Sequence, residues 1–226
     1  MKYLIGTRGS QLSIAQTKWI VEELKKKNPE NEYEIKTITT KGDTDARPLF
    51  TINQKGIFEK EIDKAVADNQ VDFAVHSLKD VPSILPDELI LGCVPPRESF
   101  NDIFISKNGD TLETIPEGAL IGTSSLRRAV QVSRKRHDLK VKTIRGNIET
   151  RIKKVHDGIF DGIILAQAGI NRLGVSVKHT QLPVVDFPPS PGQGALGIVC
   201  RKNDKDTMSM LQKIQDSNSR IEVESE

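Results

Sequence analysis

Basic residues lie where this sequence predicts strands to end and helices to begin. Arg8 and Ser10 follow the first apolar run of the chain. Arg127 and Arg128 open a predicted helix that follows the strand Leu120–Gly122. A helix N-terminus favours anions, so two adjacent cations there are locally unfavourable unless an anionic ligand compensates them. The alternative is a solvated basic pair, which is the usual environment of surface arginine.

The same placement recurs at other predicted strand ends. Lys79 lies just past the strand Val71–Val75, Arg145 ends the strand Val141–Ile144, and Arg151 lies in the next helix. Ligands of open α/β sheets bind at the carboxyl ends of strands, beside helix N-termini. The recurrence therefore favours a site for a ligand with several carboxylates, which arginine holds well through bidentate contacts.

Asp80 is a carboxylate among these bases, in the segment VHSLKDVP. One interpretation is a turn or capping aspartate that precedes a proline. The other is a solitary acid that stabilises a cation or accepts N–H bonds while the bases hold substrate carboxylates. Thr123-Ser124-Ser125 has a similar pair of interpretations, as a helix cap or as a source of hydroxyl and N–H groups for the same anion.

Short apolar strands alternate with amphipathic helices along the chain, which predicts an α/β architecture. Ser10 suits the N-cap of the first helix, which ends in Lys25–Lys27. The other predicted strands are Tyr3–Gly6, Tyr33–Thr39, Leu89–Val94, Ile103–Ser106, Gly162–Leu165 and Ala195–Cys200. The other predicted helices are Ile57–Asn69, Ser125–Arg136, Ile148–His156, Ile170–Leu173 and Asp206–Gln215.

Proline clusters at Pro95-Pro96 and at Pro188-Pro189-Ser190-Pro191 mark crossings between two domains. We predict a first domain of residues 1–95 plus 189–220 and a second of residues 96–188. Residues 221–226 are then a tail.

Composition excludes several classes of function. The net charge of +2 is too small to indicate a nucleic-acid or membrane partner, and 4% aromatic residues give few stacking surfaces for bases. Two distant cysteines and four scattered histidines form neither a disulfide framework nor a metal site. No signal segment or membrane span is evident, so we expect a cytoplasmic location.

Two motifs invite wrong assignments. Gly192–Gly197 fits G-x-G-x-x-G literally, but prolines precede it and a strand-like run follows it. The dinucleotide motif needs a strand before it and a helix after it, so we reject that assignment. Cys93 ends an apolar run with no base or cation immediately beside it, which predicts a buried structural thiol.

Seven segments together resemble one known family. They are IGTRGSQLSIAQ, KGDTD, KGIFEKE, VDFAVHSLKDVP, IGTSSLRRAVQ, IRGNIETR and SPGQGALGI. In this order they are similar to the signature segments of the porphobilinogen deaminase family, from about residue 3 to about residue 220. The stretches HSLKDVP and GTSSLRR are the most specific of them.

The resemblance implies a fold and an activity. The fold is a pair of α/β domains resembling type II periplasmic binding proteins, with a cleft between them, followed by a smaller third domain. The activity is that of a transferase of porphyrin, tetrapyrrole and haem biosynthesis. It deaminates and condenses four porphobilinogen molecules into the linear tetrapyrrole hydroxymethylbilane and uses a dipyrromethane cofactor.

The resemblance also assigns residues. The family's catalytic aspartate follows HS-x-K, which corresponds to Asp80, and the lysine of its mobile loop corresponds to Lys55. The residues implied to bind the carboxylates of substrate and cofactor, or to line the cleft with polar groups, are Arg8, Ser10, Gln16, Lys55, Lys79, Ser125, Arg127, Arg128, Arg145, Arg151 and Gln193.

Two features depart from the family pattern. The third domain, with the cysteine that holds dipyrromethane, is absent, and neither Cys93 nor Cys200 matches that cysteine. The chain is then a truncated product, needs a separate chain that supplies the domain, or binds the primer without a covalent link. The loop Thr51–Lys55 also lacks the family's glycine pair and its earlier lysine.

A second class of function stays open. A two-lobed polycarboxylate-binding module that needs a partner chain would share the fold and the arginines but carry out no chemistry. The missing signal segment argues against a periplasmic version of it, and the missing DNA-binding helix pair argues against a regulator. A scaffold subunit has no positive support.

Overall fold

The computed structural model describes residues 1–40 and 59–226. These residues form two compact units. Unit 1 holds residues 1–40, 59–98 and 191–226, and unit 2 holds residues 99–190. The chain changes units after Glu98 and after Ser190, close to the two proline clusters. Lys55, the KGDTD segment and the predicted start of the helix at Ile57 lie outside the described residues.

Unit 1 contains a five-stranded sheet with the order β2-β1-β3-β10-β4. The strands are β1 Lys2–Arg8, β2 Glu32–Ile38, β3 Phe73–Ser77, β4 Leu89–Cys93 and β10 Leu196–Arg201. β1 is parallel to β2 and β3, whereas β10 is antiparallel to β3 and β4. Leu196 pairs with Ser77, so the residues that precede β10 lie at the edge where β3 ends.

Helices and one short turn complete unit 1. They are α1 Gln11–Lys27, α2 Lys60–Ala67, the 3₁₀ turn Leu78–Asp80, α6 Lys205–Gln212 and α7 Ser217–Ser225. As predicted, Ser10 caps α1: its side chain accepts from the Ser13 N–H. The apolar face of α1, with Ile20 and Leu24, packs with Phe73 and Ile198 in the core.

Unit 2 contains a second five-stranded sheet, with the order β7-β6-β8-β5-β9. The strands are β5 Asp102–Ser106, β6 Leu120–Gly122, β7 Lys140–Lys142, β8 Gly162–Ala166 and β9 Thr180–Gln181. β6 is parallel to β7 and β8, and β5 is antiparallel to β8. Asp102, the first residue of β5, therefore lies at the edge where the parallel strands end.

Three helices follow the parallel strands of unit 2. They are α3 Leu126–Lys135, α4 Ile148–His156 and α5 Gln167–Leu173. Val132 of α3 packs with Phe104 and Ile164, and Val155 of α4 packs with Ile163, in separate buried clusters. Within the described ranges, no helix combines the length and the apolarity needed to cross a membrane.

Some predicted boundaries were wrong. β7 ends at Lys142, so Ile144 is buried outside a strand and Arg145 lies in the loop before α4. Residues 221–226, which we assigned to a tail, continue α7 and its cap. The reason is long-range, since Arg97 forms ion pairs with Glu222 and Glu226.

Candidate functional site

Asp80 lies on the 3₁₀ turn at the carboxyl end of β3. The N–H of Leu78 donates to the Ala195 carbonyl at 3.0 Å, and the N–H of Val81 closes the turn onto the Leu78 carbonyl at 3.0 Å. Lys79 and Asp80 are exposed. In the part of the chain that the structure describes, the Asp80 side chain has no hydrogen-bond or ion-pair partner. The fold therefore leaves this carboxylate exposed rather than using it as a cap.

Gly192 packs the SPGQG segment against that turn. Its φ is +69°, and a Cβ atom there would lie 3.1 Å from the Lys79 nitrogen and 3.2 Å from the Leu78 carbonyl carbon. The next residue, Gln193, is buried, and its carbonyl accepts from Nε of Arg97 at 3.0 Å. The glycine that resembled part of a dinucleotide motif is thus needed for close approach of two backbones.

We predict that Gly192→Ala destabilises the chain by about 1–3 kcal/mol, because a side chain at this φ is strained and meets the backbone of the turn. Turnover should fall with it, since the turn carries Asp80. Urea unfolding and initial rates measure the two effects. The matched control is Gly9→Ala, where a Cβ atom meets no atom within 4 Å. Equal stability of the two variants would contradict the packing role of Gly192.

Two other residues assigned to the site in unit 1, Gln16 and Ser10, make hydrogen bonds within the protein. Gln16 is buried, and its Nε2 donates to Oγ of Ser77 at 3.0 Å, so it ties α1 to the end of β3. Ser10 is occupied as the α1 cap, with Ser13 N at 3.2 Å. Arg8 ends β1 and is half-buried. Ser77, which sequence reasoning did not assign, is the residue that Gln16 orients.

In unit 2, a buried carboxylate joins the two adjacent arginines. Oδ1 of Asp102 accepts from Nε and Nη2 of Arg128 at 3.1 and 2.7 Å. Nη1 of Arg127 lies 2.9 Å from Oδ2 of the same carboxylate. The Asp102 side chain is 0% exposed. Burial raises the pKa of Asp102, but the charges and hydrogen bonds of Arg128 and Arg127 outweigh it and hold the pKa below its ordinary value.

The two arginines differ in what they offer to a ligand. Arg128 is buried, and its Nη1 also donates to the Ile164 carbonyl at 3.4 Å. The Arg127 side chain is 24% exposed and its Nη1 donates to the Pro188 carbonyl at 2.7 Å. Arg127 therefore keeps contact with solvent while the protein holds it.

Arg145 and Arg151 belong to the same cluster. Burial lowers the pKa of Arg151, and the nearby charges of Arg128 and Arg145 lower it further. Nε of Arg151 donates to the Gly146 carbonyl at 2.8 Å. A bound anion would offset this repulsion between half-buried guanidinium groups. Unit 2 thus brings together the four arginines that were assigned from the sequence, and we call them, with Asp102, the arginine cluster.

Helix caps place the cluster. Ser125 caps α3 by accepting from the Arg128 N–H, and Thr123 accepts from the Ser125 N–H at 3.2 Å. Asn147 caps α4 by accepting from the Thr150 N–H at 2.8 Å. The Ser125 hydroxyl is therefore occupied as a cap, as one of our two interpretations held.

Asp102 is the residue of the cluster that sequence reasoning missed. It opens an otherwise apolar strand and no local motif marks it, because its contacts depend on the antiparallel direction of β5. The available signal was a lone acid directly before a buried apolar run.

The cysteines are structural thiols. Cys93 and Cys200 are fully buried. Burial raises the pKa of Cys93 to about 12 and that of Cys200 to about 11, so both are protonated near neutral pH and unreactive. Among residues 1–40 and 59–226, no three His, Cys, Asp or Glu side chains are grouped to hold a metal ion.

The two sheets and the helices that follow their parallel strands define an α/β protein with the type II periplasmic-binding-protein fold. The extracellular-binding protein ytmK of Bacillus subtilis, a probable amino-acid ABC transporter component, matches with a TM-score of 0.55 and 12% identity, over 100% of this chain and 95% of that chain. The BvgS VFT2 domain of Bordetella pertussis matches with a TM-score of 0.52 and 16% identity, over 100% and 90%. These likenesses show the fold alone.

The family model described as porphobilinogen deaminase, dipyromethane cofactor binding domain, matches residues 3–209. A probable porphobilinogen deaminase of Nitrosopumilus maritimus is 67% identical over 100% of this chain and 73% of its own length. The porphobilinogen deaminase of Brevibacillus brevis is 45% identical over 100% of this chain and 74% of its own length. The chain belongs to the porphobilinogen deaminase family, the enzymes of tetrapyrrole biosynthesis, and carries the domain that binds dipyrromethane.

The residues present fit the carboxylates of that cofactor. Arg145 and Arg151 are half-buried, and the charge of Arg145 lowers the pKa of Arg151, a repulsion that a bound carboxylate would offset. Neither Cys93 nor Cys200 suits covalent attachment of the cofactor, because both thiols are buried and protonated. The comparisons give no support to a separate chain that supplies a third domain.

Proposed function

We propose that this chain deaminates porphobilinogen and condenses four molecules of it head to tail into hydroxymethylbilane. The reaction then belongs to haem biosynthesis and takes place in the cytoplasm. The observation that carries this proposal is the arginine cluster, in which Arg127 and Arg128 pair with one buried carboxylate and the positive charges of Arg145 and Arg151 lie nearby.

The charge of the cluster suits this substrate class. Four guanidinium groups and the Asp102 carboxylate leave three positive charges at one edge of the unit 2 sheet. Porphobilinogen carries two carboxylates, and each condensation adds two more to the product chain. A site for one small monoanion would leave most of this charge uncompensated. The cluster therefore favours a ligand that gains carboxylates as it grows.

Assignments in unit 1 follow from exposure. Lys79 and Asp80 are exposed on a turn that backbone contacts hold, so we assign Asp80 to the chemistry and Lys79 to carboxylate binding. Arg8 is a further candidate for carboxylate binding. Gln16, Ser10 and Ser125 are engaged within the protein, and we assign to them the positioning of their neighbours.

Asp80 acts by electrostatics and positioning. Loss of ammonia from the aminomethyl group of porphobilinogen breaks a carbon–nitrogen bond and leaves a methylene-pyrrolenine cation. A carbon–carbon bond to the growing pyrrole chain then forms, and the attacked ring loses a proton. Asp80 stabilises that cation and accepts hydrogen bonds from the pyrrole N–H groups. Dipyrromethane supplies the pyrrole end at which the chain begins.

The experiment is incubation of the purified protein with porphobilinogen, followed by acid oxidation and measurement of uroporphyrin fluorescence. We expect fluorescence to appear and four ammonia molecules to be released for each tetrapyrrole. Saturable binding of porphobilinogen without ammonia release would overturn the enzymatic proposal and favour the polycarboxylate-binding module. Intact mass spectrometry tests in parallel whether dipyrromethane is attached.

A further inference from the structure

We propose that Asp102 is a positioning residue that fixes Arg127 so that its Nη2 faces a carboxylate of the pyrrole substrate. The inference rests on the proposed function, because the ligand is the polycarboxylate assigned to this cluster. Asp102 itself does not touch the ligand, since its side chain is 0% exposed. It acts through the guanidinium that it holds.

Contacts to Arg127 occupy one side of its guanidinium. Nε donates to Oγ of Ser190 at 3.3 Å. Nη1 lies 2.9 Å from Asp102 and donates to Gln131 at 3.0 Å and to Pro188 at 2.7 Å. Among the described residues, none accepts a hydrogen bond from Nη2. A guanidinium is planar, so fixing Nε and Nη1 also fixes the direction of the two N–H groups on Nη2.

Asp102 is the only charged partner of Arg127 among the described residues, so attraction between opposite charges strengthens this contact and none of the others. Ser190, Gln131 and Pro188 offer neutral oxygens. Without the carboxylate, Arg127 keeps these weaker bonds and its exposed end gains freedom. Ordering that end of the side chain then costs entropy when the substrate binds, whereas in the wild type this cost is met when the chain folds.

Asp102→Asn separates the two arginines chemically. The amide oxygen can still accept from Arg128 in the place of Oδ1. The neutral amide nitrogen then replaces Oδ2, so the ion pair with Nη1 of Arg127 is lost. The variant therefore releases Arg127 while Arg128 stays bonded, and it removes one negative charge from the cluster. A purely electrostatic role predicts tighter binding of carboxylates, whereas a positioning role predicts weaker binding.

The test is a double-mutant cycle of Asp102→Asn and Arg127→Gln in the full chain. We measure KM for porphobilinogen, and Kd by calorimetry in an Asp80→Asn background that does not consume the ligand. We expect Asp102→Asn to raise KM and Kd about tenfold, with kcat changed less than threefold. In the Arg127→Gln background, Asp102→Asn should change Kd less than twofold, because its effect passes through Arg127.

The control is Asp138→Asn, which removes a second arginine–aspartate pair of unit 2, with Nε of Arg136 at 2.8 Å from Oδ1. Its effect on Kd should be absent in both backgrounds.

A tenfold effect of Asp102→Asn that persists without Arg127, or tighter binding, overturns the proposal. If Asp102→Asn does not fold, Asp102→Glu keeps the charge at the wrong length and must show the same dependence on Arg127. A wild type that binds but does not condense porphobilinogen overturns the proposed function alone, because the Kd cycle still reports on Asp102.

Discussion

Asp80→Asn should lower kcat by about 10²- to 10³-fold while porphobilinogen binds with Kd within threefold of the wild type. The asparagine keeps the size and one acceptor oxygen of the side chain but cannot offset the positive charge that develops when ammonia leaves. Binding should survive because the arginine cluster, not Asp80, supplies most of the cationic groups. Single-turnover kinetics separates the chemical step from binding.

The fold should not respond to this substitution. The turn Leu78–Asp80 is held by backbone bonds to Ala195 and by the close approach of Gly192, and the described residues offer no partner to the Asp80 side chain. The free energy of unfolding should therefore stay within about 0.5 kcal/mol of the wild type. Asp87→Asn, at another exposed acid of unit 1, is the matched control. Turnover of Asp80→Asn above one tenth of the wild-type value would remove Asp80 from the mechanism.

The elements of this fold could be predicted because their signals are local. Apolar runs marked the strands of both sheets except β9, whose two residues Thr180–Gln181 are polar, and Ser10 and Ser125 were recognisable as caps from their own sequence neighbourhood. The placement of basic residues directly after predicted strands could also be read from adjacent sequence. The parallel strands β6 and β7 then bring the segments of Arg127 and Arg145 to one edge of the sheet.

What could not be predicted depends on pairs that are distant in sequence. Asp102 meets Arg127 and Arg128 only because β5 runs against β8. The helix α7 could not be told from a tail because Arg97, more than one hundred residues earlier, holds its acids. Gln16 was assigned to the cleft by resemblance alone, and no local pattern predicts that its side chain meets Ser77 at the end of β3. In each case the side chain's role is set by its partner, which periodicity does not identify.

The arginine cluster carries more positive charge than its one carboxylate neutralises. We therefore expect the double variant Arg145→Gln with Arg151→Gln to bind porphobilinogen much more weakly. Charge-assisted hydrogen bonds contribute about 1.5–3 kcal/mol each. Loss of one such bond at each position should raise KM for porphobilinogen at least about a hundredfold. Raising the salt concentration should weaken wild-type binding more than that of the double variant, because fewer charges remain to be screened.

Stability should not follow binding in this variant. Burial and the charges of Arg128 and Arg145 already oppose the charged form of Arg151, so removal of two guanidiniums relieves repulsion. It also costs the bond from Arg151 to the Gly146 carbonyl. These terms oppose each other, and we expect the free energy of unfolding to change by less than about 1 kcal/mol. Arg134→Gln, at an exposed position of α3, should change neither quantity. An increase in KM of less than tenfold, in a double variant that unfolds like the wild type, would mean that these arginines serve the fold rather than the ligand. Much weaker binding with little change in stability is what a site kept charged for a polycarboxylate requires.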